Sequence, residues 1–496
     1  MLRLTWVQPE DLLGHELRQA EQDGREPSAI AARWRAAGGP PAPLTAGASP
    51  VPASPYLRLL AKDLLDELAD LPSCLAEHEP TDLARIRALC RSRPAQAAGN
   101  RAAEAMGVPP ARAKSRAWGR VGAGGTPSGG GTLQAPAGET NPRATPTEAQ
   151  LEAAWLGRAA GCLLGKPVEK LPLDGIRQLA RATGNWPLST WFTARGLPAD
   201  LAEQYPWNRR SAKTSLAENI DGMPEDDDLN YPLLNLLLLA RHGKHFTTTD
   251  VARLWLDELP AARTFTAERV AYRNLLSGIE PPRTARHRNP FREWIGALIR
   301  ADVHGWTNPG DPAAAAEQAH RDATLTHTGN GVYAAMFTAA AIAEAATGAH
   351  DVHHCLRTGL TVVPPASRLA RAVRHAIRLA RSTPDFDAVV DELHAAHRGY
   401  HWVHAIPNTA LIAAALTHAD GDFTGSICRA VSGGWDTDSN GATAGSIAGL
   451  LAGHPTALPD RWTTPLKNRL ATSVGDFNGV GFDALAHLTH REAHRS

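Results

Sequence analysis

Apolar residues recur every three to four positions along most of this chain, and no long segment shows the strict alternation of a half-buried strand. From residue 230 onward this spacing predicts a succession of helices, over residues 230–241, 248–258, 266–277, 312–321, 329–347, 367–381, 386–397, 407–418, 423–431 and 439–453. The last of these consists mostly of small residues, which let neighbouring helices approach closely, so we expect it to be central and buried. The pattern predicts an all-α protein, folded as a compact orthogonal helical bundle with functional loops at the N-termini of helices.

Composition divides the chain into three parts. Short amphipathic helices form a predicted N-terminal helical module of residues 1–93, over residues 9–23, 27–38, 56–72 and 80–91. Residues 94–146 are predicted to be a Gly-, Pro- and Ala-rich linker, because they carry too little apolar surface to offset chain entropy. A capping box at Thr147 and Gln150 then starts the main domain, residues 147–490. We expect few contacts between the two domains, a module that serves partner contact or oligomerisation, and a fragment starting near Ala144 that folds alone.

Charge and cysteine content narrow the classes of function. Lys plus Arg and Asp plus Glu both number 51, so no overall field draws the chain to nucleic acid or an anionic membrane. The five cysteines are scattered without C-x-x-C spacing, which argues against a zinc ribbon or a disulfide framework. We find neither the apolar stretch of a signal peptide nor a run as long as a membrane span. These features predict a cytoplasmic protein without a membrane or nucleic-acid partner.

The first chemical signal is a run of four acids, residues 225–228, directly before a strongly apolar helix. One or two acids there would be explained by capping and the helix macrodipole, each worth roughly 0.3–1 kcal/mol. Three consecutive aspartates, Asp226, Asp227 and Asp228, repel one another in a fixed local geometry, and a hard divalent cation removes that penalty. The run therefore favours a cation site.

A second acid-rich segment, Asp436-Thr437-Asp438-Ser439, also precedes an apolar helix and follows glycines that permit a tight turn. Alone, it has the pattern of an Asx-turn leading into an N-cap. The two clusters would meet if their helices packed side by side, and together they suggest a dinuclear site of oxygen ligands. Because helix N-termini favour anions, cations at these positions make sense if a phosphate group shares the site, as in a nucleotide diphosphate.

The order of these motifs resembles that of the ADP-ribosylglycohydrolase family, which includes the dinitrogenase-reductase-activating glycohydrolases, over residues 150–485. Residues 157–169 resemble the family's opening Gly-rich segment that ends in a functional Glu, and residues 226–228 stand where the family has Thr-Asp-Asp. Residues 436–439 match its late Asp-x-Asp-Thr/Ser motif, and residues 325–327 and 406–410 are similar to elements between them. Two positions depart from the pattern, since Cys162 replaces an acid and Asp226 replaces Thr.

The resemblance implies a largely α-helical hydrolase with two divalent metal ions, Mg²⁺ or Mn²⁺. Its substrate would be an ADP-ribosylated protein or an ADP-ribose-containing small molecule, cleaved at a glycosidic bond. Glu169 would be the mobile acid that meets a metal or the reacting water, and Asp227, Asp228 and Asp436 would act with it in catalysis. The implied metal ligands are Asp226, Asp227, Asp228, Asp436, Asp438 and Ser439.

Four further residues are candidate substrate contacts. His327 lies in a loop-like stretch before an apolar helix, where it would contact ribose or phosphate, or else cap that helix. Gly296 closes a segment similar to the family's Gly-rich cradle for ADP-ribose, and Arg300 behind it would pair with the pyrophosphate or lie on the surface. Trp435 would stack on a base or ribose, or belong to the core. Cys162 has no base near it in sequence, so a nucleophilic role is not expected.

Two other functions fit parts of the pattern. The changes at Cys162 and Asp226 suggest a non-catalytic module that binds ADP-ribose or a nucleotide. Terpene synthases also use Asp-rich helix motifs with magnesium, but the acids here start a helix instead of facing a cavity from its interior, and aromatic residues make up only 6% of the chain. Hydrolysis of an ADP-ribose conjugate is therefore the leading hypothesis.

Overall fold

The computed structural model describes residues 7–43, 46–49, 51–91 and 145–495. Within these ranges the regular structure is helical, and pairing between extended segments is limited to isolated bridges. The all-α prediction is confirmed, whereas nearly all of the predicted linker 94–146 lies outside the described residues. None of the helices described is both long and apolar enough to cross a membrane.

The α-helices, numbered in chain order, are α1 (Pro9–Gln22), α2 (Ser28–Ala36), α3 (Pro55–Asp70), α4 (Leu83–Arg91), α5 (Glu148–Gly165), α6 (Leu173–Ala182), α7 (Ala199–Gln204), α8 (Ala212–Ser215), α9 (Asp227–His242), α10 (Thr248–Glu258), α11 (Thr266–Leu276), α12 (Asp302–Trp306), α13 (Pro312–Ala323), α14 (Gly329–Ala345), α15 (Val352–Gly359), α16 (Arg368–Ser382), α17 (Phe386–Ala396), α18 (Ala405–His418), α19 (Phe423–Ser432), α20 (Thr437–Ala452), α21 (Asp460–Thr463) and α22 (Phe482–His494). Short 3-10 helices lie at Lys166–Val168, Ala261–Arg263, Arg283–Ala285, Ile295–Arg300, Leu360–Val362, Pro455–Ala457, Thr464–Leu466 and Gly475–Phe477.

Helices α5 and α20 pack antiparallel in the core of the main domain with their backbones in contact. Gly157 and Gly161 of α5 face Gly445 and Gly441 of α20. A Cβ atom added to Gly161 would lie 1.9 Å from the carbonyl oxygen of Gly441, and one added to Gly441 would lie 2.2 Å from that of Gly161. The predicted central position of α20 is confirmed, since all of its residues except the last two are buried. This contact places the C-terminal end of α5 beside the N-terminal end of α20.

The N-terminal module packs against the main domain through an apolar cluster of its own. Leu12, Leu13 and Leu64 of the module are buried together with Phe291 and Trp294 of the main domain. This cluster joins apolar residues of the two domains in one core. The module is therefore part of the folded body and not an independent appendage.

Ion pairs with little solvent exposure cross the same interface. Arg292 binds Glu16 and Asp23 of the module, both at 2.8 Å, and Arg368 binds Glu79 at 2.7 Å. The expectation of few contacts between the domains is wrong. The partners of these arginines lie 276, 269 and 289 residues away in the chain, so no local pattern in the sequence indicates them.

A fragment that starts near Ala144 is therefore expected not to fold stably, contrary to the expectation from the sequence. It would expose Phe291 and Trp294 and would leave Arg292 and Arg368 without their partners in the module. Removing one member of a buried ion pair costs about 3–5 kcal/mol. Soluble yield and thermal unfolding, compared with those of the full chain, measure the effect. A soluble fragment that melts at the full-chain temperature would show that the module contributes no stability.

Candidate active site

Two acid-bearing helix starts meet at one cavity. Asp226 is the N-cap residue of α9, and Asp436 directly precedes α20. The end of α5 joins them, because the Thr437 hydroxyl donates to the carbonyl oxygen of Gly165 at 2.8 Å. The cavity has a volume of about 740 Å³, within the usual range for ligand sites. The predicted metal-binding and catalytic residues on its wall are Glu169, Asp226, Asp227, Asp436, Asp438 and Ser439.

Asp228 lies behind this wall and not on it. Its carboxyl group is buried against α5, 3.4 Å from Nη2 of Arg158. Arg158 is itself fully buried and donates to the backbone oxygen of Asp228 at 2.7 Å and to Asp302 at 2.9 Å. No local pattern in the sequence indicates a role for Arg158. Its guanidinium fixes the start of α9 to α5 through Asp228. Asp228 therefore has a structural partner, and its metal-binding role stays a prediction from the sequence.

Asn408 holds the turn before α20. Its side-chain oxygen accepts the backbone N–H of Asp436 at 3.1 Å and the side-chain amide of Asn440 at 2.7 Å. Its own amide donates to the carbonyl oxygens of Trp402 and His404 at 2.8 and 2.9 Å. The Asp436 carboxylate makes no capping hydrogen bond to α20. It therefore remains available to the cavity, and a simple N-cap does not explain this motif.

Two lysines without a predicted role offset part of the negative charge. The Lys166 ammonium pairs with the Asp226 carboxylate. Burial acts to raise the pKa of Asp226, but this ammonium holds it below its ordinary value. Lys170 binds Glu169 at 2.7 Å, and the Asn208 amide donates to the same carboxylate at 2.6 Å. Lys166 thus balances the extra acid at position 226. In the sequence, Lys170 directly follows Glu169, whereas nothing near Lys166 indicates its partner.

Three carboxylates on the wall, Asp227, Asp436 and Asp438, have no ion-pair partner among the residues that the structure describes. Burial, and then the neighbouring carboxylates, raise the pKa of Asp227 and of Asp436 well above its usual range. Burial, followed by Glu169 and Asp226, raises the pKa of Asp438 to about 7. Crowded carboxylates of this kind are costly unless protons or cations neutralise them. Their oxygen atoms are the donors that hard divalent cations prefer, so the donor set fits Mg²⁺ or Mn²⁺.

The raised pKa of Asp438 predicts that the metal-free protein is less stable at high pH. Between about pH 4 and about pH 7 the folded chain keeps a proton on Asp438 that the unfolded chain has lost, so the free energy of unfolding falls as pH rises. In EDTA we expect this decrease in thermal stability for the wild type and a smaller one for Asp438→Asn. Mg²⁺ or Mn²⁺ should restore the wild type above about pH 7. Parallel pH profiles for the two proteins would contradict the assignment.

The rest of the cavity wall carries a different chemistry. Arg210 and Arg269 line it, and neither has an ion-pair partner within the described part of the chain. Trp294 and His401 also line it and stack on each other, with ring centroids 4.2 Å apart at an interplanar angle of 13°. Trp402 follows them on the wall. One cavity therefore offers cation ligands, positive charge for an anion and flat apolar surfaces.

A model of the ADP-ribosylglycohydrolase family matches residues 144–494. The chain belongs to the ADP-ribosylglycohydrolase family. It is also similar to an uncharacterized protein of Archaeoglobus fulgidus, with 25% identity over 317 residues that span 63% of this chain and 90% of that protein. A chain of a solved structure, an ADP-ribosylglycohydrolase-related protein complex, is also similar. The match covers 70% of this chain and 98% of that chain, with 22% sequence identity and a TM-score of 0.44. Family membership confirms the resemblance seen in the motifs and supports a glycohydrolase-type function in a generally metal-dependent family.

The substrate contacts predicted from the sequence fall in different places. Gly296 lies on the cavity wall, where an added Cβ atom would lie 2.1 Å from Oε1 of Glu268. Arg300 and His327 are both 0% exposed and do not line the cavity. Arg300 lies behind Glu268, to which it donates a hydrogen bond at 2.9 Å. Burial lowers the pKa of His327 well below its usual value. The prediction that Arg300 and His327 contact the substrate is therefore wrong, because both side chains lie in the protein interior.

Trp435 also differs from its predicted role. It adopts a left-handed backbone conformation with a φ of 56°, and its ring stacks on His394 with centroids 4.0 Å apart. Trp435 does not line the cavity, so the prediction that it stacks on a substrate is wrong. Its ring packs against His394 of α17 instead.

Cys162 has the environment of an unreactive thiol, in line with the expectation that it is not a nucleophile. Its side chain is fully buried, and burial raises the pKa of the thiol well above its usual value. Its Sγ atom and one oxygen each of Asp226 and Asp228 lie within 4.8 Å of one another. The protonated thiol therefore packs behind the carboxylates and adds no negative charge to them.

Proposed function

We propose that the chain is a dinuclear-metal-dependent hydrolase that cleaves the glycosidic bond between ADP-ribose and an acceptor, either a protein side chain or a small molecule. The observation that carries the proposal is the meeting of Asp227, Asp436 and Asp438 on one cavity wall, where none of them forms an ion pair with a described residue. Arg210 and Arg269 on the same wall match the charge of a diphosphate. Carboxylates for cations and arginines for an anion are the combination that an ADP-ribose conjugate requires.

The metals would be held by Asp227, Asp436, Asp438 and Ser439, with Asp226 and Asp228 completing the predicted set. Bound cations would neutralise these carboxylates and polarise the ribose hydroxyl groups. In the reaction, a water oxygen bonds to the anomeric carbon while the bond from that carbon to the acceptor nitrogen or oxygen breaks. The acceptor leaves with a proton, and ADP-ribose is released.

Glu169 is the proposed acceptor of the proton that the attacking water loses. Asn208 donates to its carboxylate at 2.6 Å and Lys170 binds it at 2.7 Å, so its orientation on the wall is fixed by two neighbours. Glu169 shares the cavity wall with the proposed ligands Asp436 and Asp438. Its charge contributes to the raised pKa of Asp438, as expected for carboxylates that lie close together. A carboxylate in this position is suited to accept a proton from water at the site.

A second candidate is a module that binds ADP-ribose without turnover. The observation in its favour is the Lys166 ammonium, which pairs with Asp226 at a position where the family motif has an uncharged residue. A fixed cation of the protein lowers the negative charge that attracts metal ions. In this candidate function the chain binds the same ligand but does not hydrolyse it.

An activity panel separates the two candidates. Defined conjugates with ADP-ribose on arginine, on serine, on a nucleic-acid end and on a small metabolite are incubated with Mg²⁺, Mn²⁺ or EDTA, and calorimetry measures binding of free ADP-ribose. We expect metal-dependent release from at least one conjugate. Binding without release from any conjugate would favour the second candidate, and the absence of both would reject the two proposals together.

A further inference from the structure

Helix α1 of the N-terminal module holds one segment of the cavity wall from its outer side. The segment is residues 291–294, and the His15 ring packs against two of its members. The ring centroids are 5.1 Å from Phe291 and 5.8 Å from Trp294, both in edge-to-face geometry. His15 also meets His401 edge to face at 6.1 Å. The ring of His15 therefore packs against both members of the Trp294–His401 stack.

The polar members of the segment are held by the same helix. Glu16 binds Arg292 at 2.8 Å, and Gln19 donates to Glu293 at 2.9 Å. His15, Glu16 and Gln19 lie within about one turn of α1, so a single face of this helix contacts four consecutive residues of the main domain. The contacts include ion pairs and rings, which fix both the backbone and the side chains of the segment.

The held segment leads directly into the cavity. Trp294 lines it, and the next residue, Ile295, donates its backbone N–H to the carbonyl oxygen of Val403 at 2.9 Å. This bond ties the segment to residues 401–403, which line the same wall. Ala46 of the module reaches the wall itself. The module is thus both a support for the aromatic wall and a small part of its surface.

We propose that α1 positions the aromatic wall of the substrate cavity, with His15 as the positioning residue, and thereby sets the affinity of the site for the ADP-ribose part of its substrate. The inference rests on the proposed function for the identity of the ligand. The module would then take part in substrate recognition, whereas the role predicted from the sequence is partner contact or oligomerisation. The carboxylates at the start of α9 and α20 are held by α5 and Asn408 and make no described bond to α1, so we expect metal binding to survive a change in this support.

His15 acts through the shape of its ring. It is 3% exposed, and neither ring nitrogen has a hydrogen-bond partner among the described residues. Burial, followed by His401 and Arg18, lowers the pKa of His15 to about 3, so the ring is uncharged at neutral pH. A phenylalanine at this position keeps a flat ring, while an alanine leaves a void behind Trp294. The pair of variants therefore separates support of the wall from any polar role of the imidazole.

The test uses the full chain with the substitutions His15→Ala and His15→Phe, and Arg33→Ala as the control. Arg33 forms an exposed ion pair with Glu67 within the same module and touches no wall residue through a described bond. We expect His15→Ala to raise the Kd for ADP-ribose and the KM for a conjugate about tenfold, with kcat within about twofold and metal stoichiometry unchanged. His15→Phe should restore both constants, and Arg33→Ala should leave them unchanged.

A folded His15→Ala protein with an unchanged Kd would overturn the inference, as would a parallel loss of metal binding. If His15→Ala does not fold, Gln19→Leu breaks the bond to Glu293 in the same segment and should raise the Kd in the same direction. A wild-type chain that neither binds nor cleaves ADP-ribose compounds would reject the proposed function instead. In that case acrylamide quenching tests the wall directly: His15→Ala should increase it, and the increase should vanish in a Trp294→Phe background.

Discussion

Asp438→Asn is expected to abolish ADP-ribose release, lowering kcat/KM by at least about 10³-fold. Asparagine keeps the size of the side chain and one of its oxygens but removes a carboxylate from a group of three that form no ion pair with a described residue. Loss of a metal's contribution to transition-state charge is worth several kcal/mol, and each 1.36 kcal/mol is a factor of about ten in rate. Turnover of a defined conjugate and metal titration by calorimetry measure the two effects.

The control for this variant is Asp422→Asn. Asp422 is the N-cap of α19, where its carboxylate accepts the backbone N–H of Gly425 at 2.7 Å, and asparagine caps helices about equally well. It should leave kcat/KM within about twofold of the wild type. Asp438→Asn should also melt at or above the wild-type temperature in EDTA, because it relieves repulsion. Undiminished turnover with normal metal binding in this variant would reject the proposed mechanism.

Arg300→Met is expected to lower the free energy of unfolding by about 3–5 kcal/mol, because it leaves buried acids without their partner. Arg300 is 0% exposed and donates to Asp322 at 2.8 Å, to Glu268 at 2.9 Å and to the Thr326 hydroxyl at 2.8 Å. Methionine fills a similar length of the interior but satisfies none of these acceptors. Urea unfolding of the full chain measures the loss, and a reduced soluble yield would accompany it.

The matched variant is Arg33→Met, at an arginine that is 53% exposed. A surface ion pair contributes about 0–1 kcal/mol, so this change should be nearly neutral. The comparison also separates the structural role of Arg300 from the substrate contact predicted by sequence. An Arg300→Met protein of wild-type stability that had lost only its affinity for ADP-ribose would restore the sequence-based prediction.

The helix starts could be predicted because their signals are local. Thr147 and Gln150 form the expected reciprocal capping box, with bonds of 3.1 and 2.8 Å, and Thr247 and Asp250 form another at α10. Such a signal spans four residues and is visible in the sequence. The helices α6 and α15 were not predicted although both are amphipathic, because ten and eight residues give few repeats of a helical pattern. The contacts between the N-terminal module and the main domain could not be predicted either, because they join residues that are distant in the chain.

The acids of the candidate site could be predicted for the same reason, since each cluster is contiguous. Their counter-charges could not. Lys166 pairs with an aspartate 60 residues away, and Arg158 with backbone and side-chain atoms 70 and 144 residues away. For Arg300, the sequence does not distinguish an arginine that faces a ligand from one that faces Glu268 and Asp322 in the core. A buried ion pair and a binding site use the same residue types, and only packing separates them.

The backbone contact between α5 and α20 has a consequence for how members of such a family diverge. Where Gly161 meets Gly441, no side chain lies between the helices, and any larger residue at either position would force the two acid-bearing helix ends apart. Substitutions that enlarge either glycine are therefore expected to disturb the part of the cavity that the carboxylates line. The aromatic part of the wall is built from side chains, Trp294, His401 and Trp402, and is supported by the N-terminal module. Substitutions there can alter which molecules are accepted while the chemistry stays the same, so new substrate preferences are expected to evolve at the aromatic wall and in the module behind it.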